Sequence, residues 1–284
     1  MDFDHLKAFV AVAETGGFSA AANALNRTQS AVSAQIRRLE EQLDTRLFDR
    51  TSRSVRLTEA GGTLLPYARR MLHMDEIART AVGESQVTPA LRFGITDEQA
   101  ERYLPRLLRA FHADYPDERV EIACDVSTVL LRQLRDGLLD LALVVRHGPE
   151  PGGEEMQTEP LVWAARPDFT SPPEAPVPLA CNPEGCVHRA RAVEALTRAG
   201  RRWQVRYTSQ SPAGTNGALL SGLAVTVKAA RSVPDGCVDV GERLGLPPLP
   251  PVSVDLHRAP TAVSPAALRF ADLVEGLYER RGAT

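Results

Sequence analysis

The segment that most constrains the fold spans residues 19–50, SAAANALNRTQSAVSAQIRRLEEQLDTRLFDR. Ser19 is a residue type that caps helices, and a short alanine-rich run follows it. Residues 26–28 break that helix, and Thr28 can cap the next one. Apolar residues then recur at helical spacing: Val32, Ile36, Leu39 and Leu43. The sequence therefore predicts two short helices joined by a tight turn.

The polar face of the second predicted helix has the composition of a helix that reads DNA. Its small residues let the backbone approach base edges in a major groove, and its longer side chains offer hydrogen bonds to those edges. From this helix and its cap we predict DNA contacts by Thr28, Gln29, Ser30, Ser33, Gln35, Arg37 and Arg38. On periodicity alone, a plain amphipathic helix pair with a solvated charged face is an equally good interpretation.

A basic stretch, residues 51–56, lies between two short apolar pieces and predicts a β-hairpin wing. Arg50, Arg53 and Arg56 would then face phosphates or a minor groove. Residues 27–56 carry seven arginines against four acidic residues, whereas the whole chain has a formal net charge of -3. Any DNA binding is therefore local, and its electrostatic footprint is modest.

Several short motifs in the first sixty or so residues resemble, in sequence and in order, those of the N-terminal domain of LysR-type transcriptional regulators. They are FVAVAE (9–14), GGFSAA (16–21) with Leu25, QSAVS (29–33) with Ile36, LE (39–40) with Leu43, LF (47–48) with Arg50, and LTEAG (57–61). The resemblance implies a homodimer that reads the half-sites of a palindromic operator in double-stranded DNA. It also implies tetramers formed from two dimers, control by a small-molecule effector, and contact with RNA polymerase.

Residues 58–84 predict one long helix that Thr58 can cap, with Pro66 as a bend. Such a helix would span about 40 Å, too long to bury its apolar face on a small domain. Pairing with a second copy would bury that face, whereas packing within the same chain is the alternative. The face consists of Leu64, Leu65, Ala68, Met71, Leu72, Ile77, Ala78, Ala81 and Val82.

Beyond a hinge at residues 83–90, apolar strands alternate with helical segments, a pattern typical of a parallel α/β sheet. The stretch LRDGLLDLAL (134–143) resembles the LysR-type effector-binding domain, which implies two lobes like those of a periplasmic binding protein. The expected fold class is α/β, with a helix-rich winged helix-turn-helix domain, a long linker helix and this two-lobed domain. The expected boundaries are 1–58 for the winged domain, 59–87 for the linker, and 88–284 for the effector domain, with lobe I at about 88–163 plus 262–284 and lobe II at about 164–261.

The candidate effector residues follow predicted strands, where open α/β sheets bind ligands. They are Thr96, Asp97, Ser127, Thr128, Arg146, Thr208 and Ser209. Structural roles compete, since Thr96 with Gln99 fits a capping box, and Ser127 and Thr128 are residue types that cap helices. Asp97 and Glu98 would repel a carboxylate in a closed cleft. We therefore expect a neutral, zwitterionic or cationic effector, or one anchored mainly at Ser127, although Arg146 could receive an acid.

Composition and motifs narrow the remaining classes of protein. The chain has no run of about 18 apolar residues and no apolar leader after its acidic N-terminus, so we expect a cytoplasmic protein without a membrane span. It has no nucleophile elbow, P-loop or zinc-protease motif, and we predict no enzyme activity, cofactor or metal. Two alternatives stay open: a winged-helix regulator of another family, and a thiol sensor using Cys181 and Cys186. A solute receptor is disfavoured, because it would need an export signal and would have no use for the first 90 residues.

Overall fold

The computed structural model describes residues 1–50, 55–83, 89–146, 148 and 152–279, and of Arg50 and Glu279 it describes the backbone alone. The N-terminal domain has three helices and a hairpin: α1 (Phe3–Thr15), α2 (Phe18–Ala24), α3 (Gln29–Gln42), β1 (Phe48–Arg50) and β2 (Val55–Leu57). Its core consists mainly of fully buried side chains of α1 and α3, among them Leu6, Phe9, Val12, Val32, Ile36 and Leu39. The two predicted helices and the turn between them are therefore present.

The helix starts show which of the predicted caps form. Thr28 caps α3, because its hydroxyl accepts a hydrogen bond from the Ala31 amide at 3.2 Å. Ser19 does not cap α2. That helix begins at Phe18, two residues before the predicted start, with Gly17 as an extended N-cap that has no side-chain bond. Phe18 packs edge-on against the Phe48 ring, with 6.0 Å between ring centroids, which fixes the start of the helix within the core.

The linker helix α4 (Glu59–Ala81) begins at Thr58, whose hydroxyl accepts from the Gly61 amide at 3.0 Å. One part of its predicted apolar stripe packs into the winged domain of the same chain: Leu64, Leu65, Ala68 and Leu72. Other residues of the stripe are exposed, among them Met71 at 39% and Val82 at 73% of their full accessibility, and Tyr67, which the predicted stripe did not include, is exposed beside them at 54%. The stripe is thus divided between an internal contact and a free face.

A charged contact joins α4 to the effector domain of the same chain. His73 donates from Nε2 to Asp140 Oδ1 at 3.1 Å, and Arg92 donates to both carboxylate oxygens, at 2.7 and 3.2 Å. A Cβ on Gly137 would lie 3.0 Å from the Arg70 side chain, so a glycine at this turn allows the close approach. Burial opposes ionisation of Asp140, yet the hydrogen bonds and charges of His73 and Arg92 hold its pKa at about 2.

Replacing Asp140 with asparagine should therefore lower the free energy of unfolding by about 2 kcal/mol and the Tm by roughly 4–8 °C at neutral pH. The carboxylate's contribution is complete above the ordinary pKa of 3.8 and is lost as pH falls towards about 2, so the difference from the wild type should vanish over that range. Urea unfolding at several pH values measures this. Asp117→Asn, at an exposed site, is the matched control, and an equal loss in both variants would contradict the assignment.

The remaining elements are, in chain order, β3 (Leu91–Ile95), α5 (Asp97–Asp114), β4 (Val120–Cys124), α6 (Ser127–Arg135), β5 (Leu141–Val145), β6 (Gly153–Glu159), β7 (Leu161–Ala165), β8 (Val177–Cys181), α7 (Val187–Arg198), β9 (Trp203–Thr208), α8 (Pro212–Leu220), β10 (Thr226–Ala229), β11 (Val238–Asp239), β12 (Val252–Arg258) and α9 (Pro265–Glu279). Strands and helices alternate as predicted except at β5–β8 and β10–β12, where strands follow one another without an α-helix between them, and β6, β7 and β11 were not predicted. They form two lobes with separate apolar cores. None of the helices in the described ranges is both long and apolar enough to cross a membrane.

The sheets correct two expectations about the lobes. The first sheet has the order β4-β3-β5-β12-β6 and is mixed rather than parallel, because β12 runs antiparallel to both of its neighbours. The predicted second lobe, 164–261, contained β12 but excluded the start of β7. In the structure β12 belongs to the first lobe, and β7 pairs with β10 and β11 in the second. The apolar pattern of β12 indicated a buried strand but could not indicate which sheet would bury it.

Candidate functional site

Helix α3 presents a polar face to solvent at the surface of the winged domain. Thr28, Gln29, Ser30, Arg37 and Arg38 are exposed, and Ser33 is partly exposed. Residues three, four and seven apart share one face of a helix, so Ser30, Ser33 and Arg37 lie together. Within the described part of the chain, Arg37 and Arg38 have no carboxylate partner, so their charges face solvent. Gln35 differs, because its side-chain oxygen is enclosed without a hydrogen-bond partner among the described residues, which places it beside the core.

The wing is held against the end of α3 by a contact that the sequence did not reveal. Glu40 Oε1 accepts from the Leu47 amide at 2.9 Å and from the Phe48 amide at 3.3 Å. Strands β1 and β2 pair antiparallel, and Arg56 is exposed on β2 opposite Asp49. Arg53 and the side chain of Arg50, both predicted to contact DNA, lie outside the described residues. The fixed wing keeps Arg56 in a set position relative to α3.

A cleft of about 60 Å³ lies between the two lobes of the effector domain. The first lobe supplies the starts of α5 and α6, with Thr96, Asp97 and Ser127 in the wall. The second lobe supplies the starts of α7 and α8 together with β10, which carries Lys228.

A charge cluster bridges the two lobes across this cleft. Glu98 of α5 lies 3.3 Å from His188 Nδ1 and 3.7 Å from Lys228 Nζ, both in the second lobe. The side chains are largely buried, with Glu98 at 12% and Lys228 at 10% exposure. Charges this poorly solvated attract each other more strongly than surface pairs do. The cluster therefore favours the closed arrangement of the lobes.

Asp97 and Asp125 form a second, unbalanced charge group on the first-lobe wall. Burial raises the pKa of Asp97, and the nearby negative charge of Asp125 raises it further, against a weaker opposite effect of Lys228. Asp125 accepts a hydrogen bond from the Val126 amide at 2.7 Å. Neither carboxylate has a salt-bridge partner among the residues that the structure describes. Two neighbouring carboxylates at a partly buried wall thus keep their charge unpaired.

Two regions of the chain match known families. Residues 3–62 match the bacterial regulatory helix-turn-helix protein of the lysR family, and residues 84–277 match the LysR substrate binding domain. The chain belongs to the LysR family of transcriptional regulators. The family match covers the helix-turn-helix domain and both lobes, so this LysR-family protein is a DNA-binding regulator with an effector-binding domain.

Individual relatives agree with this assignment. The chain is 38% identical to the regulator DgdR of Burkholderia cepacia over 90% of this chain and 87% of that protein. Its fold matches the crystal structure of ArgP from Mycobacterium tuberculosis with a TM-score of 0.73 at 22% identity, covering 97% of each chain. It also matches full-length CbnR in complex with its target DNA, with a TM-score of 0.62 at 24% identity over 97% of this chain and 99% of that one. DgdR is an HTH-type transcriptional regulator.

The structure brings three of the seven predicted effector residues of this LysR-family chain into the cleft: Thr96, Asp97 and Ser127. Neither predicted capping role holds. Thr96 is the N-cap of α5 but makes no side-chain cap bond, and Gln99 donates to Glu159 at 3.1 Å instead. Val126 is the N-cap of α6, and the Ser127 hydroxyl accepts from the Val145 amide at 3.1 Å.

The other four predicted residues lie outside the cleft wall. Arg146 donates two hydrogen bonds, of 2.7 and 3.0 Å, to the Asp255 carboxylate. This contact joins the end of β5 to β12 and occupies the guanidinium of Arg146. The Ser209 hydroxyl bonds to the backbone of Ser211, and Thr208 ends an outer strand. Thr128 packs against the glycine at position 185. The rule that ligands bind at strand ends does not separate the two groups, because Arg146 follows the central strand β5 whereas Ser127, in the cleft wall, follows the edge strand β4.

Lys228 and His188, the two second-lobe residues that face Glu98, were not predicted from the sequence. Lys228 is one of two lysines among the 33 basic residues, the other being Lys7, and that rarity was a usable signal. A lysine within the short apolar segment 223–229 is also unusual, since lysine is rarely buried unless paired. His188 gave no comparable signal, because a single histidine near a helix start has many structural roles.

The cysteines argue against the thiol-sensor alternative. All four are free, and Cys181 is buried. Burial raises the pKa of Cys181 to about 12, and it also raises the pKa of Cys186. Because the thiolate is the reactive form, both thiols are held in the unreactive state at neutral pH.

Proposed function

We propose that this protein acts as a homodimer on a palindromic operator in double-stranded DNA, and that a small effector between the lobes controls it. The observation that supports the dimer most directly is the free apolar face of α4. Tyr67 and Met71 are one turn apart on this face, and Val82 continues it towards the helix end. A helix of 23 residues spans about 35 Å, enough for an extended two-helix contact.

In this dimer each α3 enters a major groove. Ser30, Ser33 and Arg37 contact base edges with Gln29, while Thr28 positions the start of the helix and Arg38 contacts phosphates. The arginines of the wing, Arg50, Arg53 and Arg56, contact phosphates or a minor groove. The two α3 helices then read half-sites about one helical turn apart or a multiple of that spacing.

The effector binds in the cleft at Thr96, Asp97 and Ser127 and changes the separation of the lobes. Two dimers join through their α/β domains into a tetramer, so that lobe movement changes DNA bending and contact with RNA polymerase. The resemblance to the family supports this sequence of events, and we propose that it takes place in the cytoplasm. The contact of His73 and Arg92 with Asp140 links the linker to the first lobe and provides a physical route for that movement.

Selection of bound duplexes from a random library by the purified full-length protein tests the proposal. We expect an enriched inverted repeat and, by light scattering, an even number of chains on each duplex. Enrichment of a sequence without two-fold symmetry, bound by a single chain, would contradict the dimer. Absence of enrichment by a folded dimer would contradict the assignment of α3 as the reading element.

A further inference from the structure

The two walls of the interlobe cleft carry opposite charge. The first-lobe wall holds three carboxylates, Asp97, Glu98 and Asp125, whereas the second-lobe wall holds Lys228 and His188. The charge of Lys228 is directed at Glu98 across the gap. Two of the three acids therefore remain without a cation among the described residues, and the empty cleft has an excess of negative charge.

The starts of the helices oppose this excess of negative charge, because the positive end of a helix attracts anions. At α5 the carboxylates of Asp97 and Glu98 lie in the first turn and already balance the positive end of the helix. At α6 the Asp125 carboxylate accepts from the Val126 amide. The start of α5 thus carries two acids and the start of α6 has Asp125 beside it, so an anionic ligand on this wall would meet like charge.

Two enclosed polar atoms indicate that the cleft is incomplete without a ligand. Thr96 Oγ1 and His188 Nε2 line opposite walls, and neither has a hydrogen-bond partner in the described part of the chain. An enclosed polar atom without a partner costs about 1–3 kcal/mol, which native structures seldom tolerate without a reason. A ligand with hydrogen-bonding groups would satisfy both atoms.

We propose that the effector carries an ammonium group that binds between Asp97 and Asp125, beside the Thr96 hydroxyl. This inference rests on the proposed effector site in the cleft. An ammonium ion is compact and has three donors and no acceptor, which suits two carboxylates and a hydroxyl oxygen. Binding it replaces the repulsion between the two acids with two charge-assisted hydrogen bonds. A carboxylate on the same ligand would compete with Glu98 for Lys228 and His188.

Thermal unfolding of the full-length protein with two matched sets of probes tests the proposal. The first set is alanine, ethylamine and propionate, and the second is norleucine, pentylamine and hexanoate. We expect ammonium compounds to raise the Tm by roughly 5–10 °C at about 100-fold above their Kd, and the two acids to have no effect. A rise with the amino acids alone supports the proposal, with their carboxylate at Lys228.

Three results would overturn the proposal: stabilisation by the acids instead, no rise with any ammonium compound, or an equal rise with Mg²⁺ alone. Asp97→Asn should weaken ammonium binding at least tenfold, about 1.4 kcal/mol, whereas Asp117→Asn, on an exposed turn, should not change it. The ligand-free Tm of Asp97→Asn should change little, because the substitution removes the repulsion from Asp125 but also the attraction of the carboxylate to the start of α5.

A variant that fills the cleft distinguishes two errors: a wrong chemical class for the effector, and a wrong location for its binding site. Asn182 lines the cleft at the end of β8 and is half-buried, so Asn182→Trp adds bulk there without entering the core. If acids stabilise the wild type and Asn182→Trp prevents it, the cleft is the site and only the ammonium is wrong. If amines stabilise both proteins equally, the site itself is wrong and both proposals fail.

Discussion

Replacing Arg37 with glutamate should reduce affinity for the selected operator on the order of 100-fold or more while the protein stays folded. Arg37 is exposed at the centre of the polar face of α3 and has no carboxylate partner among the described residues. A bidentate arginine–guanine contact contributes about 1–3 kcal/mol of discrimination, and the reversed charge adds repulsion from phosphates. Because the side chain is exposed, the free energy of unfolding should change little.

Titration of labelled operator and of a scrambled duplex measures the effect of Arg37→Glu on specific and non-specific binding. Arg231→Glu is the matched control, since it makes the same charge change at an exposed site in the second lobe. Ser33→Tyr provides a second variant that blocks close approach without changing charge. Unchanged operator affinity in Arg37→Glu would show that another face of α3 meets DNA.

Replacing Met71 with aspartate should separate the dimer and, with it, most of the affinity for the full operator. Met71 lies on the free apolar face of α4, where its exposure of 39% in the single chain leaves area for a partner. A charge at a paired position on each helix opposes burial in the dimer. Once the chains are separate, the second half-site no longer benefits from a high effective concentration, and affinity falls by about 10²–10⁴-fold.

Sedimentation velocity measures the mass of Met71→Asp, and titration of full and half operators measures its DNA affinity. Leu223→Asp is the control, because Leu223 is 53% exposed in the second lobe, away from α4. The variant should bind a half-site as weakly as the wild type does, which distinguishes loss of pairing from damage to α3. A dimer that persists at micromolar concentration would contradict the pairing of α4.

Most of the winged domain could be predicted from the sequence, because its helices and turns depend on residues that are close together in the chain. Thr28 capped α3 as predicted, since a cap depends on a few neighbouring residues. The division of the α4 stripe was not predictable, because Leu64 and Met71 are both apolar, and only the position of α1 determines which of them is covered. In the sequence, Glu40 was counted only as one of the four acidic residues of 27–56, whereas its carboxylate fixes the wing.

The effector site was predicted less well because it is assembled from residues distant in sequence. Thr96, Asp97 and Ser127 followed from the general rule that strand ends carry ligands. Arg146 satisfied the same rule, but Asp255 binds it from a strand more than a hundred residues away. Lys228 and Glu98 meet only because two lobes close on each other, and no local pattern encodes that contact.

Hydroxyl-radical footprinting of the selected operator by the wild-type protein tests the central claim most directly. A dimer with one α3 in each half-site should protect two blocks related by two-fold symmetry, with centres separated by a whole number of helical turns. Arg37→Glu should abolish both blocks together. Protection of a single block by one chain, or protection that persists in Arg37→Glu, would contradict a dimer that reads DNA through α3.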